Sequence, residues 1–142
     1  MKKPIFFILA LAIAGFANAQ KLDAAKVPAP VKESFAKQFP GIASPKWELE
    51  DGNYEAGFKK GDKSMAATFK PDGTFTESEV TIKVSELPSS VSNYLKDHYK
   101  GETVKEAAKI TKANGEINYE AEVKKMDVLF DANGKFIKEA KD

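Results

Sequence analysis

One four-residue phrase occurs twice in this chain, as Asn53-Tyr54-Glu55-Ala56 and as Asn118-Tyr119-Glu120-Ala121. Any fold it adopts must accept the same strand-like pattern in two places. The parts around the phrase recur with it. Val31, Phe35 and Phe39 form an apolar stripe at four-residue spacing, and Val91, Leu95 and Tyr99 form another 60 residues on. That spacing is helical. Pro28 and Pro88 stand where each helix opens, a place where a missing N–H costs nothing. Pro40-Gly41 closes the first and Gly101 the second. Position, spacing and stop signals agree, so the sequence reads as a duplication.

The turns test the strand register. Asp51-Gly52 suits a two-residue type I′ turn and sets Leu49 opposite Tyr54 and Trp47 opposite Ala56. Gly61-Asp62 suits the next one and sets Tyr54 opposite Phe69, Ala56 opposite Ala67, and Phe58 opposite Met65. Both choices put Tyr54 and Ala56 on one apolar face, which matters because a one-residue slip would turn the set outward. In the second half, Asn114-Gly115 read as a two-residue turn pairs Ile110 with Tyr119 and Ala108 with Ala121. Tyr119 opposite Phe130 then pairs Ala121 with Val128 and Val123 with Met126. That register leaves Lys124-Lys125 at the tip, residues poorly suited to positive φ. A third turn closes each half: Phe69 to Phe75 aligns without a gap on Phe130 to Phe136, Gly73 on Gly134. The strands that follow, near 74–83 and 135–141, alternate less cleanly, and a bulge or an edge is expected there.

The expected fold class is α+β: two tandem units, each one helix plus a four-stranded antiparallel sheet, with the helices packed on one face. The repeats are 27–84 and 85–142 within a single domain, 20–142, the units sharing one sheet or packing side by side. Residues 20–26 read as a polar lead-in. Before them, Lys2 and Lys3, the apolar run Ile5 to Phe16 and Ala17-Asn18-Ala19 make residues 1–19 a signal peptide. No Cys follows to take a lipid anchor. A periplasmic or secreted protein is expected, without membrane insertion.

Composition removes several functions. All 22 basic residues are Lys, set against 21 acidic ones. Nucleic-acid binding draws on a basic excess and on Arg, so none is expected. With no Cys there is no disulfide, thiolate catalysis or Cys-based zinc site. His98, the sole histidine, has no second His and no Ser motif to work with, and reads as a half-exposed helix residue. Asp131-Ala132-Asn133-Gly134 resembles a calcium loop only faintly, because its Gly comes at the fourth position rather than the sixth. It reads as a hairpin turn. No catalytic residue, cofactor or metal is expected.

Two sets of residues remain as a candidate binding surface. Glu48, Glu55, Glu120 and Glu122 fall on the sheet face away from the helices, where an acidic cluster would attract cations or a basic partner. A solvated sheet surface with cross-strand pairs is the plainer account of them. Trp47 departs from the symmetry, its counterpart being Ala108. Filling the helix-side core is its ordinary use, and a groove lip its functional one.

Val27-Pro28, Tyr54-Glu55 and Phe69 to Phe75, with Leu87-Pro88, Tyr119-Glu120 and Phe130 to Ile137, resemble the bacterial PepSY-like domains, also described as β-lactamase-inhibitor-like. The resemblance covers the mature chain as two tandem copies. It implies a helix-on-antiparallel-sheet fold in a small exported protein, and by analogy with propeptides an inhibitory or chaperone-like role. By the same resemblance β-lactamase inhibitor proteins carry disulfides and an aromatic-rich concave sheet, neither of which this chain has. The expected function is an exported, non-enzymatic binding module, inhibitor-like in mode, monomeric, with another exported protein as partner. The alternative is an envelope-associated structural protein without a defined ligand.

Overall fold

The computed structural model describes residues 20–141; the signal peptide read at 1–19 lies outside them. Nine strands and two α-helices follow one another: β1 (Gln20–Leu22), α1 (Ala29–Gln38), β2 (Lys46–Glu50), β3 (Asn53–Lys60), β4 (Lys63–Phe69), β5 (Phe75–Ile82), α2 (Ser89–His98), β6 (Val104–Lys112), β7 (Ile117–Val123), β8 (Met126–Asp131) and β9 (Phe136–Lys141). The strands form one nine-stranded sheet in chain order, with β1–β2, β2–β3, β3–β4, β6–β7, β7–β8 and β8–β9 paired antiparallel. This corrects the expected pair of four-stranded units, each with its own helix. The protein is mostly β, with a single sheet. One reason is β1, which pairs Gln20, Lys21 and Leu22 with Leu49, Glu48 and Trp47. A three-residue strand is too short to show alternation in sequence.

The chain divides into two compact units, one ending at Ser78 and one beginning at Glu79. In the first, α1 opens after Pro28 with Pro30 in its first turn and ends where the Phe39 N–H donates to the Phe35 carbonyl, 2.9 Å. Val31 and Phe35 turn onto the sheet. They meet Trp47, Ala56, Phe58, Ala67 and Phe69, with Phe39, Tyr54, Met65 and Phe75 around them. Each fully buried Val or Phe among them contributes roughly 1.5–3 kcal/mol by leaving water. The register is the expected one: Leu49 opposite Tyr54, Trp47 opposite Ala56, Tyr54 opposite Phe69, Phe58 opposite Met65.

In the second unit α2 opens after Pro88, and Val91 and Leu95 meet Ala107, Ala121, Val123, Val128 and Phe130. The β7–β8 register is again the expected one, Tyr119 opposite Phe130 and Val123 opposite Met126. Its turn does place Lys124 and Lys125 at positive φ, 54° and 61°. Sheet pairing on either side overrides the residues' own preference there.

The β6–β7 register is one residue from the expected one. Tyr119 faces Lys109 rather than Ile110, and Ala121 faces Ala107 rather than Ala108. The cause is loop length. The Lys112 N–H donates to the Glu116 carbonyl and the Gly115 N–H to the Lys112 carbonyl, each 2.9 Å, so Ala113-Asn114-Gly115 is a three-residue loop with Gly115 at φ 86°. The same two bonds close the turn at 132–134. The shift sends Ala108 and Ile110 to the face away from α2. A bulge at Lys105 then returns Val104 to the α2 side, opposite Val123.

Candidate functional site

Trp47 lies on the helix side, 5% exposed, its ring 5.5 Å from that of Phe35 in an edge contact. It belongs to the helix-side core. Its counterpart, by the corrected register, is Ala107. The four glutamates lie on the opposite face, so the five expected residues do not make one surface.

In the first unit Glu48 faces Glu55, which faces Thr68, and Lys21 lies on the other side of Glu48. Glu55 is 7% exposed. Alternation assigned it to the correct face, but that face is not freely solvated. Burial raises the Glu48 carboxyl above its usual range, with Lys21 and Lys46 pulling the other way. Burial also raises Glu50, helped by Asp51 and Glu48.

In the second unit three cross-strand rows share the face away from α2. The first is Ile110, Asn118 and Asp131; the second is Ala108, Glu120 and Leu129; the third is Glu106, Glu122 and Asp127. Ile110, Asn118, Ala108, Glu120, Leu129 and Glu122 are all buried. The Glu122 side chain is 5% exposed and makes one ion pair, Oε1 to Lys105 Nζ at 3.6 Å. Its Oε2 is buried without a hydrogen-bond partner among the described residues. Glu106 and Ile110 were missed from sequence because of the register. The signal was present: Ala113-Asn114-Gly115 repeats the Ala-Asn-Gly of the turn at 132–134.

The remaining candidates make local contacts. His98 is exposed, with Nδ1 2.9 Å from the Tyr94 carbonyl oxygen, and its ring stacks on Tyr94 at 3.8 Å. Asp131 Oδ1 accepts the Asn133 and Lys135 N–H groups, each at 2.9 Å, which organises the turn. Asp72 Oδ1 accepts the Thr74 N–H at 2.8 Å, and hydrogen bonding to Thr74 lowers the Asp72 carboxyl. Among the described residues no group of three or more His, Cys, Asp or Glu is set to hold a metal ion. None of the described helices is long and apolar enough to cross a membrane.

In each unit one helix packs its apolar stripe on antiparallel strands, with carboxylates on the strands' other side, which defines a class of small α-on-β proteins. The family described as "Putative beta-lactamase-inhibitor-like, PepSY-like" matches residues 52–138, and the chain belongs to it. No curated protein matches significantly. Among solved structures, the chain is similar to a "putative periplasmic" protein of Bacteroides eggerthii, with TM-score 0.72 at 18% identity over 81% of this chain and 88% of that one. A DUF2874 family protein of Bacteroides uniformis gives TM-score 0.71 at 19% identity, over 80% and 88%. A BLIP-like protein of Bacteroides fragilis gives 0.62 at 19%, over 80% and 86%. At these identities the likeness is one of fold.

Proposed function

We propose that this protein is an exported, non-enzymatic binding module whose partner is another exported protein with a basic surface. The observation that carries the reading is the separation of chemistry between the two faces. Within each unit the aromatic residues of the core lie on the helix side; on the other side lie Glu48 and Glu55 in the first unit, and Glu106, Glu120, Glu122 and Asp127 in the second. A face without Trp, Tyr or Arg at its centre lacks the usual anchors of a tight interface. Charge would set its specificity and association rate instead. The mode is inhibitor-like only in covering a partner's surface. Export is supported by the residues at 1–19 and by the description of the Bacteroides eggerthii protein. Two tandem copies of one ancestral element are supported by helices that begin 60 residues apart, at Ala29 and Ser89, and by the recurring Asn-Tyr-Glu-Ala.

The test is capture from a periplasmic extract on immobilised mature protein, at low and at high salt, beside the double variant Glu48→Gln/Glu106→Gln. A stoichiometric basic partner that is retained at low salt, and lost in high salt and on the double variant, is the expected result. A partner held equally by both forms would remove the acidic face from the reading. No partner at all would favour an envelope-associated structural protein.

A further inference from the structure

We propose that Glu106, Glu122 and Asp127 form a proton-binding row: one proton enters at Glu106 as the medium turns mildly acidic and steadies the second unit. The inference holds whether or not the face docks a partner. It rests on three observations.

The first is register. Glu106 on β6, Glu122 on β7 and Asp127 on β8 are direct cross-strand partners on the face away from α2. Directly opposed side chains on a sheet stand about 4.5–5.5 Å apart at Cβ, and like charges so placed repel. The second is burial. The Glu122 side chain, at the centre of the row, is only 5% exposed, so little water shields it from its neighbours. The third is the Glu122 Oε2 atom, buried with no hydrogen-bond donor among the described residues. A proton on a neighbouring carboxyl is the donor such an oxygen lacks. Two carboxylates in one site avoid double ionisation in this way.

Charged groups on the neighbouring strands bear on the row. From β6, Lys105 reaches Glu122 Oε1 at 3.6 Å, but its side chain is 57% exposed, which weakens the pair. On β7, Glu120 adds a further carboxylate two residues along the same face. On β9, Ala140 stands opposite Asp127 and Lys138 opposite Leu129, so the cation falls beside the second row. In keeping with this, the Glu106 carboxyl lies above its usual 4.5, raised first by burial and then by Glu122.

The sign follows. A carboxyl whose affinity for protons is higher in the folded state takes up more protons there than in the unfolded chain. Stability is therefore gained as pH falls through the raised value, and the gain is complete below 4.5. Asp72, lowered by its hydrogen bonds, acts in the opposite sense, so variants must be compared with wild type rather than wild type read alone.

The experiment is a carboxyl-carbon NMR titration of the mature protein, with melting curves at neutral and mildly acidic pH, on wild type and on Glu122→Gln. In wild type Glu106 should titrate above 4.5. In Glu122→Gln it should fall back toward that value, and the variant should gain less melting temperature on acidification than wild type does. If Glu122→Gln fails to fold, Asp127→Asn is read in the same way, with the smaller downward shift expected of a charge one strand further from Glu106. An ordinary Glu106 titration in wild type, or one that the folded variant leaves unmoved, would overturn the proposal.

Discussion

Phe35 in α1 lies near four other aromatic rings, those of Phe39, Trp47, Phe58 and Phe69. Leu95, at the matching place in α2, belongs to a cluster in which Val91, Val123 and Val128 surround one ring, Phe130. The second unit puts its remaining rings further out. Tyr94 stacks on His98 at 3.8 Å and on Phe136 at 5.2 Å, and the Tyr99 hydroxyl donates to Glu139. The Ser90 hydroxyl donates to the Asn133 carbonyl at 2.9 Å. Unit one has Ser34, Phe39 and Pro30 at the places of Tyr94, Tyr99 and Ser90. The closing strands also differ in place: β5 has a neighbour on each side, whereas β9 ends the sheet and has one.

The largest expected effect tests the two cores. Phe35→Ala should cost about 3–5 kcal/mol, and Leu95→Ala a smaller amount within the roughly 2–5 kcal/mol seen for aliphatic truncations. Urea unfolding measures both, and equal losses would break the contrast. A middle-sized effect separates two glycines. A Cβ on Gly134 would sit 1.9 Å from Ser90 Oγ, while one on Gly115 meets nothing within 4 Å. Both have positive φ, so Gly115→Ala should cost on the order of 1 kcal/mol for backbone alone. Gly134→Ala should add roughly 1–3 kcal/mol of overpacking. Matching melting temperatures for the two variants would show that Ser90 yields freely. The smallest effect belongs to the tie on the last strand. Tyr99→Phe should cost about 1 kcal/mol, the usual net worth of one hydrogen bond. Amide exchange should quicken in β9 and stay unchanged in β4; a uniform change would sharpen the picture toward a global effect.

Much of the helix side was legible from sequence, because Asp51-Gly52 and Gly61-Asp62 are turns of a single plausible length and the apolar residues confirm them. Asn114-Gly115 is not such a turn, since the same dipeptide serves two-residue and three-residue loops. Only the preceding Ala113, shared with the turn at Ala132, tells them apart. The burial of Glu55, Glu120 and Glu122 was not legible at all. Period-two alternation assigns a side chain to a face, and says nothing about how much water reaches that face. The family resemblance was recoverable from the prolines, the Tyr-Glu strands and the glycine turns, which are features of shape. Activity leaves no comparable mark here.

The three-residue loop at 113–115 and the bulge at Lys105 act on β6 as two compensating changes of reading frame act on a gene. Between them, residues 106–112 face the opposite sides from those a two-residue turn would give them, and beyond the bulge Val104 returns to the α2 side. Ile110 could thereby change sides of the sheet without disturbing Val104 or any residue of β7. Losing one of the two irregularities alone would invert everything beyond it, while losing both would exchange only the bracketed segment. The protein thus carries, within one strand, a stretch whose inner and outer residues can be traded wholesale while the sheet around it stays as it was.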